Sequence, residues 1–107
     1  IETIFSERVE NQLILRRGFE IKKNSNVLIV EDVITTGKSA LECSNLAKIS
    51  NSKVVGYACI IDRSNDKSLL STEIVSQLKI NIDTFKSDKL PDDLKKINPS
   101  KPGSRNL

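Results

Sequence analysis

Val27-Leu28-Ile29-Val30-Glu31-Asp32-Val33-Ile34-Thr35-Thr36-Gly37-Lys38-Ser39 is the most informative run in this chain. Its first four residues are apolar and largely β-branched, which predicts a strand buried on both faces, the kind that parallel sheets use. Glu31 and Asp32 follow at once, so two carboxylates stand at the carboxyl end of that strand, the edge where α/β folds bind ligands. Val33 to Ser39 then turns into a helix, and unpaired amides, hydroxyls and the positive helix end converge on one point. A phosphate fits there. Gly37 lets backbone approach the ligand closely, while Thr35, Thr36 and Ser39 offer hydroxyl donors to phosphate oxygens. The acidic pair repels phosphate, but it suits a polyol whose hydroxyls donate to it, or a hydrated Mg²⁺. A phosphorylated ribose satisfies both halves of the run.

Two other readings compete for the same residues. Any strand-to-helix turn tends to be rich in Gly, Ser and Thr, and acids near a helix start are merely favourable. The preceding apolar strand and the adjoining acidic pair together argue for more than such a turn. Gly37-Lys38-Ser39 also matches the end of the nucleotide-binding P-loop, but that motif requires a glycine five residues before Gly37. Position 32 is aspartate, so the P-loop is excluded.

Downstream of the run, Ala40, Cys43, Leu46 and Ala47 recur at helical spacing until Ser50-Asn51-Ser52 ends the helix. Val54 to Ile61 is nearly all apolar and predicts a second buried strand, which completes one βαβ unit with a right-handed crossover. Leu78, Ile80, Ile82 and Thr84 alternate with polar residues, as an edge strand with one wet face would. Upstream, Thr3 to Arg8 and Leu13 to Arg17, separated by Glu10-Asn11-Gln12, predict a hairpin or two short extended segments. From Lys86 onward the residues are rich in Lys and Asp, with Pro91, Pro99, Pro102 and Gly103. Residues 86–107 are therefore expected to form an irregular tail within a single unit spanning 1–107.

Composition narrows the chemistry. The chain has 107 residues, 37% hydrophobic and 29% charged, which is globular and too small for more than one compact unit. No window holds the roughly 20 apolar residues of a membrane span, and no secretory signal opens the chain, so the cytoplasm is the expected compartment and no membrane is expected as a partner. There is no histidine, which removes imidazole-dependent hydrolase schemes and zinc sets. Cys43 and Cys59 lack CxxC spacing and read as reduced core thiols. Seventeen basic residues against fourteen acidic ones give a net charge of +3, suited to a small anion but too mild and scattered for nucleic acid. Three phenylalanines and one tyrosine leave little for base stacking.

The thirteen residues VLIVEDVITTGKS closely resemble the phosphoribosyl diphosphate signature of type I phosphoribosyltransferases. Within that family, FSERV and LILRRGF before the signature, DRS after the next strand and KPGSR near the end look like the orotate phosphoribosyltransferases. The resemblance implies a Rossmann-like α/β core, a parallel sheet flanked by helices. It implies that Glu31 and Asp32 hold the ribose hydroxyls and act in catalysis, and that Val33, Ile34, Thr35, Thr36, Gly37, Lys38 and Ser39 bind the 5'-phosphate side of phosphoribosyl diphosphate. Thr35 and Arg63 would face orotate. Arg8, Arg16 and Arg17 are candidates for diphosphate contact, although this chain lacks the lysine-rich, histidine-containing loop of many relatives. At Leu90-Pro91-Asp92-Asp93-Leu94 some similar sequences carry a cysteine pair, and no role is attached to that difference.

The implied reaction transfers the phosphoribosyl group to orotate, giving orotidine 5'-phosphate and diphosphate in pyrimidine biosynthesis. Mg²⁺ is the implied cofactor, the substrates are the implied partners, and similar enzymes are homodimers with shared sites. Only two parallel strands and one alternating strand are visible, so the N-terminal part of the family's fold is expected to be missing and activity of this chain alone is in question. The alternatives are a purine-base phosphoribosyltransferase and a non-catalytic phosphoribosyl-binding fragment or regulatory module.

Overall fold

Two consecutive residues with positive φ, Glu10 at 46° and Asn11 at 66°, close the first hairpin of the computed structural model, which describes residues 1–65, 68–98 and 100. Positive φ at both central positions is the requirement of the two-residue turn that matches strand twist. The turn joins β1 (Ser6–Val9) to β2 (Gln12–Leu15), which pair antiparallel. Phe5 and Phe19 meet edge to face at 4.9 Å across the open end of this hairpin.

The main sheet has three parallel strands in the order β3-β4-β5, with β3 spanning Asn26–Ile34, β4 Lys53–Asp62 and β5 Ile74–Lys79. Between β3 and β4 lies α1 (Lys38–Ile49), which packs on one face of both. The helix ends where the sequence indicates. Asn51 takes a left-handed φ of 54°, the Ser52 amide donates to the Ala47 carbonyl at 2.9 Å, and the Asn51 amide donates to the Lys48 carbonyl at 2.9 Å. These two bonds satisfy helix-end carbonyls in the Schellman pattern.

Three expectations are corrected. First, β3 runs four residues past the apolar quartet and includes the acidic pair, because β4 is ten residues long and offers Cys59 opposite Glu31 and Asp62 opposite Ile34. Second, β3 is not buried on both faces: Leu28 is 56% and Val30 68% exposed. Only the α1 side of the sheet is covered among the described residues, so the alternate side chains face outward. Third, the edge strand lies at Ile74–Lys79 rather than around Leu78 to Thr84. Its ladder on β4 stops where β4 stops, with the Ile80 amide donating to the Asp62 carbonyl, and among the described residues those beyond have no strand to pair with.

The core sits between the sheet and α1. Ile29, Ile34, Ala40, Tyr57, Cys59 and Leu70 form it, and Ala47 is 0% exposed where helix meets sheet. A buried hydroxyl pair crosses the same interface: Ser44 donates to the Ala40 carbonyl at 2.9 Å and lies 2.6 Å from the Tyr57 hydroxyl. Cys43 and Cys59 are free thiols whose ionisation burial pushes upward. The tail carries a 3₁₀ turn at Ser87–Lys89 and the short α2 (Asp92–Lys95). Pro99 and the KPGSR motif at 101–105 lie outside the described residues. Among the described residues no helix is long and apolar enough to cross a membrane.

Ser44→Ala strands the Tyr57 hydroxyl in this interface and is expected to cost about 1–3 kcal/mol. The double variant with Tyr57→Phe is expected to cost less than the sum of the two single changes, because both polar partners are then gone. Urea unfolding of the three variants measures the difference, and strict additivity would show that the two hydroxyls do not interact.

Candidate functional site

The site is built where β3 hands over to α1. Gly37 is the N-cap residue, with φ 78°, and its carbonyl accepts the first helical hydrogen bond from the Leu41 amide at 2.8 Å. The N-cap glycine offers no side-chain cap and the first turn contains no acid, so the helix start is left polar and positive toward its surroundings. Thr36 Oγ1 takes the Lys38 amide in a long 3.3 Å bond. A shallow concavity of about 80 Å³ opens here, lined by Glu31, Val33, Ile34 and residues 35–40. A larger hollow of about 330 Å³ lies between α1 and β4 around Ser44 and Tyr57, and no carboxylate lines it among the described residues.

The two acids occupy different surroundings. Glu31 is half-buried in the concavity; burial first, and then the neighbouring Asp32 charge, raise its carboxyl above the ordinary glutamate value, with Arg8 opposing. Asp32 is exposed, and its Oδ1 accepts the Val33 amide at 2.7 Å. Both lie within β3, but only Glu31 lines the concavity. The structure therefore brings Glu31 together with Thr35, Thr36, Gly37, Lys38 and Ser39, while Asp32 stands outside the lining of the concavity.

Arg63 follows β4 directly, and its amide donates to the Ile34 carbonyl at 2.8 Å, which ties it to the end of β3 beside the loop. Its Nε is buried and has no hydrogen-bond partner among the described residues. The adjacent Asp62 instead accepts the Ser64 amide at 2.8 Å. Burial alone would raise the Asp62 carboxyl, but hydrogen bonds from Ser64 and the charge of Lys79 outweigh it and lower the value.

The arginines of the hairpin are engaged elsewhere. Arg8 meets Glu42 of α1 at 2.6 Å and the Asn11 carbonyl at 2.8 Å. Arg16 and Arg17 both pair with Glu7, at 3.2 and 2.8 Å, and Arg17 also lies 5.5 Å from the centre of the Phe5 ring. Exposed pairs of this kind contribute little and exchange readily. Sequence reasoning missed one group altogether: Ser68, Leu69 and Leu70, which lie against Thr36 and Gly37. Nothing local marks them, since the contact spans the whole of α1 and β4.

The helix start, the half-buried Glu31 and the parallel sheet together make up this site. The model of the phosphoribosyl transferase domain matches residues 3–93, and the chain belongs to that family. The relatives narrow the likeness. The chain is 39% identical over 107 residues to the orotate phosphoribosyltransferase of Parvibaculum lavamentivorans, covering 100% of this chain and 55% of that protein. It is 46% identical over 93 residues to the orotate phosphoribosyltransferase of Methylorubrum populi, covering 87% of this chain and 47% of that protein. The chain thus spans about half the length of the curated relatives it matches. Among solved structures, the adenine phosphoribosyltransferase of Thermoanaerobacter pseudethanolicus superposes with a TM-score of 0.56 at 20% identity, over 73% of this chain and 48% of that one. The adenine phosphoribosyltransferase of Leishmania tarentolae gives 0.51 at 26% identity, over 63% and 36%.

Glu31 binds protons more readily in the folded than in the unfolded chain, so it destabilises the fold increasingly as pH rises from the ordinary glutamate value through the raised one. Glu31→Gln is expected to raise the unfolding midpoint at pH 7 and to give no gain below the ordinary glutamate range. Thermal melts across pH measure this, and an equal gain at acid and neutral pH would exclude the carboxylate as the cause.

Proposed function

We propose that this chain forms the phosphoribosyl-binding part of an orotate phosphoribosyltransferase. The reaction transfers the phosphoribosyl group from 5-phosphoribosyl 1-diphosphate to orotate, giving orotidine 5'-phosphate and diphosphate. The observation that supports the reading best is the concavity at the uncapped start of α1, where amides, hydroxyls and the Glu31 carboxylate border one space of sugar-phosphate chemistry. The two orotate phosphoribosyltransferases, at 39% and 46% identity, favour orotate over a purine base; the adenine phosphoribosyltransferase neighbours support the fold.

In this reading residues Thr35 to Ser39 hold the 5'-phosphate, with Val33 and Ile34 closing the loop beneath it. Glu31 accepts from the ribose hydroxyls. Asp32 joins it if its exposed side chain swings over the strand edge toward the sugar. Arg63 and Thr35 face the base, and the buried Nε of Arg63 supports this role because a base oxygen would give it an acceptor. Arg8, Arg16 and Arg17 supply cations to the diphosphate by exchanging their exposed carboxylate partners. Positive charge grows on the sugar as diphosphate leaves, and catalysis comes from holding sugar and base in line and from fixed charges around them. Orotate is already an anion, so no histidine base is required.

Among the described residues no group of three or more Asp, Glu, Cys or His is placed to hold a metal ion. Mg²⁺ keeps its waters and binds through one or two carboxylates plus substrate phosphates, so it does not depend on such a group. Glu31 and Asp32 are the carboxylates available for this, and the ion when bound neutralises the leaving diphosphate. A cytoplasmic homodimer completes the proposal.

A second reading, a module that binds phosphoribosyl groups without turnover, draws on the chain's half-length coverage of its relatives. Diphosphate release from phosphoribosyl diphosphate with orotate and Mg²⁺ separates the two, since the module binds and does not release. For the site itself, titration calorimetry compares orotidine 5'-phosphate with ribose 5-phosphate. Arg63→Ala is expected to lose one charge-assisted bond of about 1.5–3 kcal/mol to the base, or roughly 10- to 150-fold in affinity for the nucleotide. Ribose 5-phosphate affinity should stay within about twofold of the unmodified chain. Equal losses for both ligands would place Arg63 away from the base.

A further inference from the structure

Gly37 is enclosed. A Cβ built on it would lie 2.8 Å from Leu70 Cγ, 3.2 Å from Leu70 Cδ1 and 3.1 Å from Ser68 Oγ. Leu70 is only 9% exposed and belongs to the core. Its amide donates to Ser68 Oγ at 3.1 Å, and the neighbouring Leu69 amide donates to the Thr36 carbonyl at 2.9 Å. One short segment, 68–70, therefore closes on the two residues at which strand becomes helix, by a hydrogen bond to residue 36 and by apolar contact on residue 37.

We propose that Leu70, together with Ser68 and the Leu69 amide, is a positioning device for the phosphate loop. It sets ligand affinity by holding Gly37 in its left-handed turn without lining the concavity itself. The inference rests on the proposed phosphoribosyl site. Glycine populates both signs of φ with similar ease, so a free Gly37 would let the amides of residues 37–39 swing away from a common point. Ordering them again on binding would weaken the affinity, whereas a loop already held meets the anion without that loss. The close approach explains why glycine stands at this position twice over. The turn needs positive φ, and the space a Cβ would take is filled by Leu70. Leu70 and Ser68 are absent from the lining of the concavity, so their effect must pass through the loop.

The test is titration calorimetry of ribose 5-phosphate with four variants of the chain. Leu70→Ala is expected to weaken binding by about five- to thirty-fold, the factor that corresponds to fixing one residue's backbone. Leu70→Met, which keeps the volume, is expected to restore most of it. Ile74→Ala serves as the control: Ile74 packs on the same core from β5, where it pairs with Tyr57, and does not line the concavity, so the melting temperature is expected to fall while affinity holds. Ser68→Ala removes no buried apolar volume and keeps the question open to measurement should Leu70→Ala not fold; about a two- to tenfold loss is expected. Unchanged affinity in Leu70→Ala, or in Ser68→Ala if the former does not fold, overturns the positioning role and leaves the phosphoribosyl site standing. An equal affinity loss in Ile74→Ala does the same, because general loosening would then suffice. Failure of the unmodified chain to bind ribose 5-phosphate overturns both.

Discussion

The parallel ladder between β3 and β4 is the constraint on which the rest depends. It sets two strands side by side with their carboxyl ends level, and the Ile34 carbonyl closes that edge by accepting the Arg63 amide. A loop from the end of one strand and an arginine from the end of the other thereby become neighbours, although all of α1 lies between them in sequence. The same edge receives the segment around Leu69 through the Thr36 carbonyl. Ligand sites gather at the carboxyl ends of parallel strands because crossover connections start there, and helix starts bring their free amides to the same place.

Stability is concentrated on one side of this sheet. Ile29, Tyr57 and Cys59 face α1 and are buried, while Leu28, Val30, Ile60 and Val75 remain exposed on the opposite face. Apolar burial scales with area removed from water, so the helix-side core supplies most of the hydrophobic stabilisation of the described residues. That core reaches directly under the loop from Thr35 to Ser39 through Ile34, Ala40 and Leu70. The loop accordingly has packed support below and polar groups above, which is the arrangement the proposed anion site would require.

Charge works against this stability at one position. Burial and the Asp32 charge disfavour the ionised form of Glu31, so the fold bears a cost for keeping a carboxylate there. Arg8 offsets part of it and at the same time ties the β1-β2 hairpin to α1 through Glu42. Folding stability therefore gives no reason for a carboxylate at this position, whereas the proposed sugar site gives it a use.

Much of this was readable along the chain. The apolar quartet at Val27, the helical spacing from Ala40 to Ala47, the stop at Ser50 to Ser52 and the loop from Thr35 to Ser39 are local patterns, and local patterns set local conformation. Strand ends were less readable, because a ladder lasts as long as its partner does: β3 runs on to Ile34 and β5 ends at Lys79 on account of β4. That Glu31 is half-buried in the concavity while Asp32 is exposed outside it is announced by no feature of the two residues themselves. The enclosure of Gly37 by Leu70, the buried Nε of Arg63 and the bare face at Val30 were decided by tertiary structure alone, since each depends on which distant residues arrive beside it.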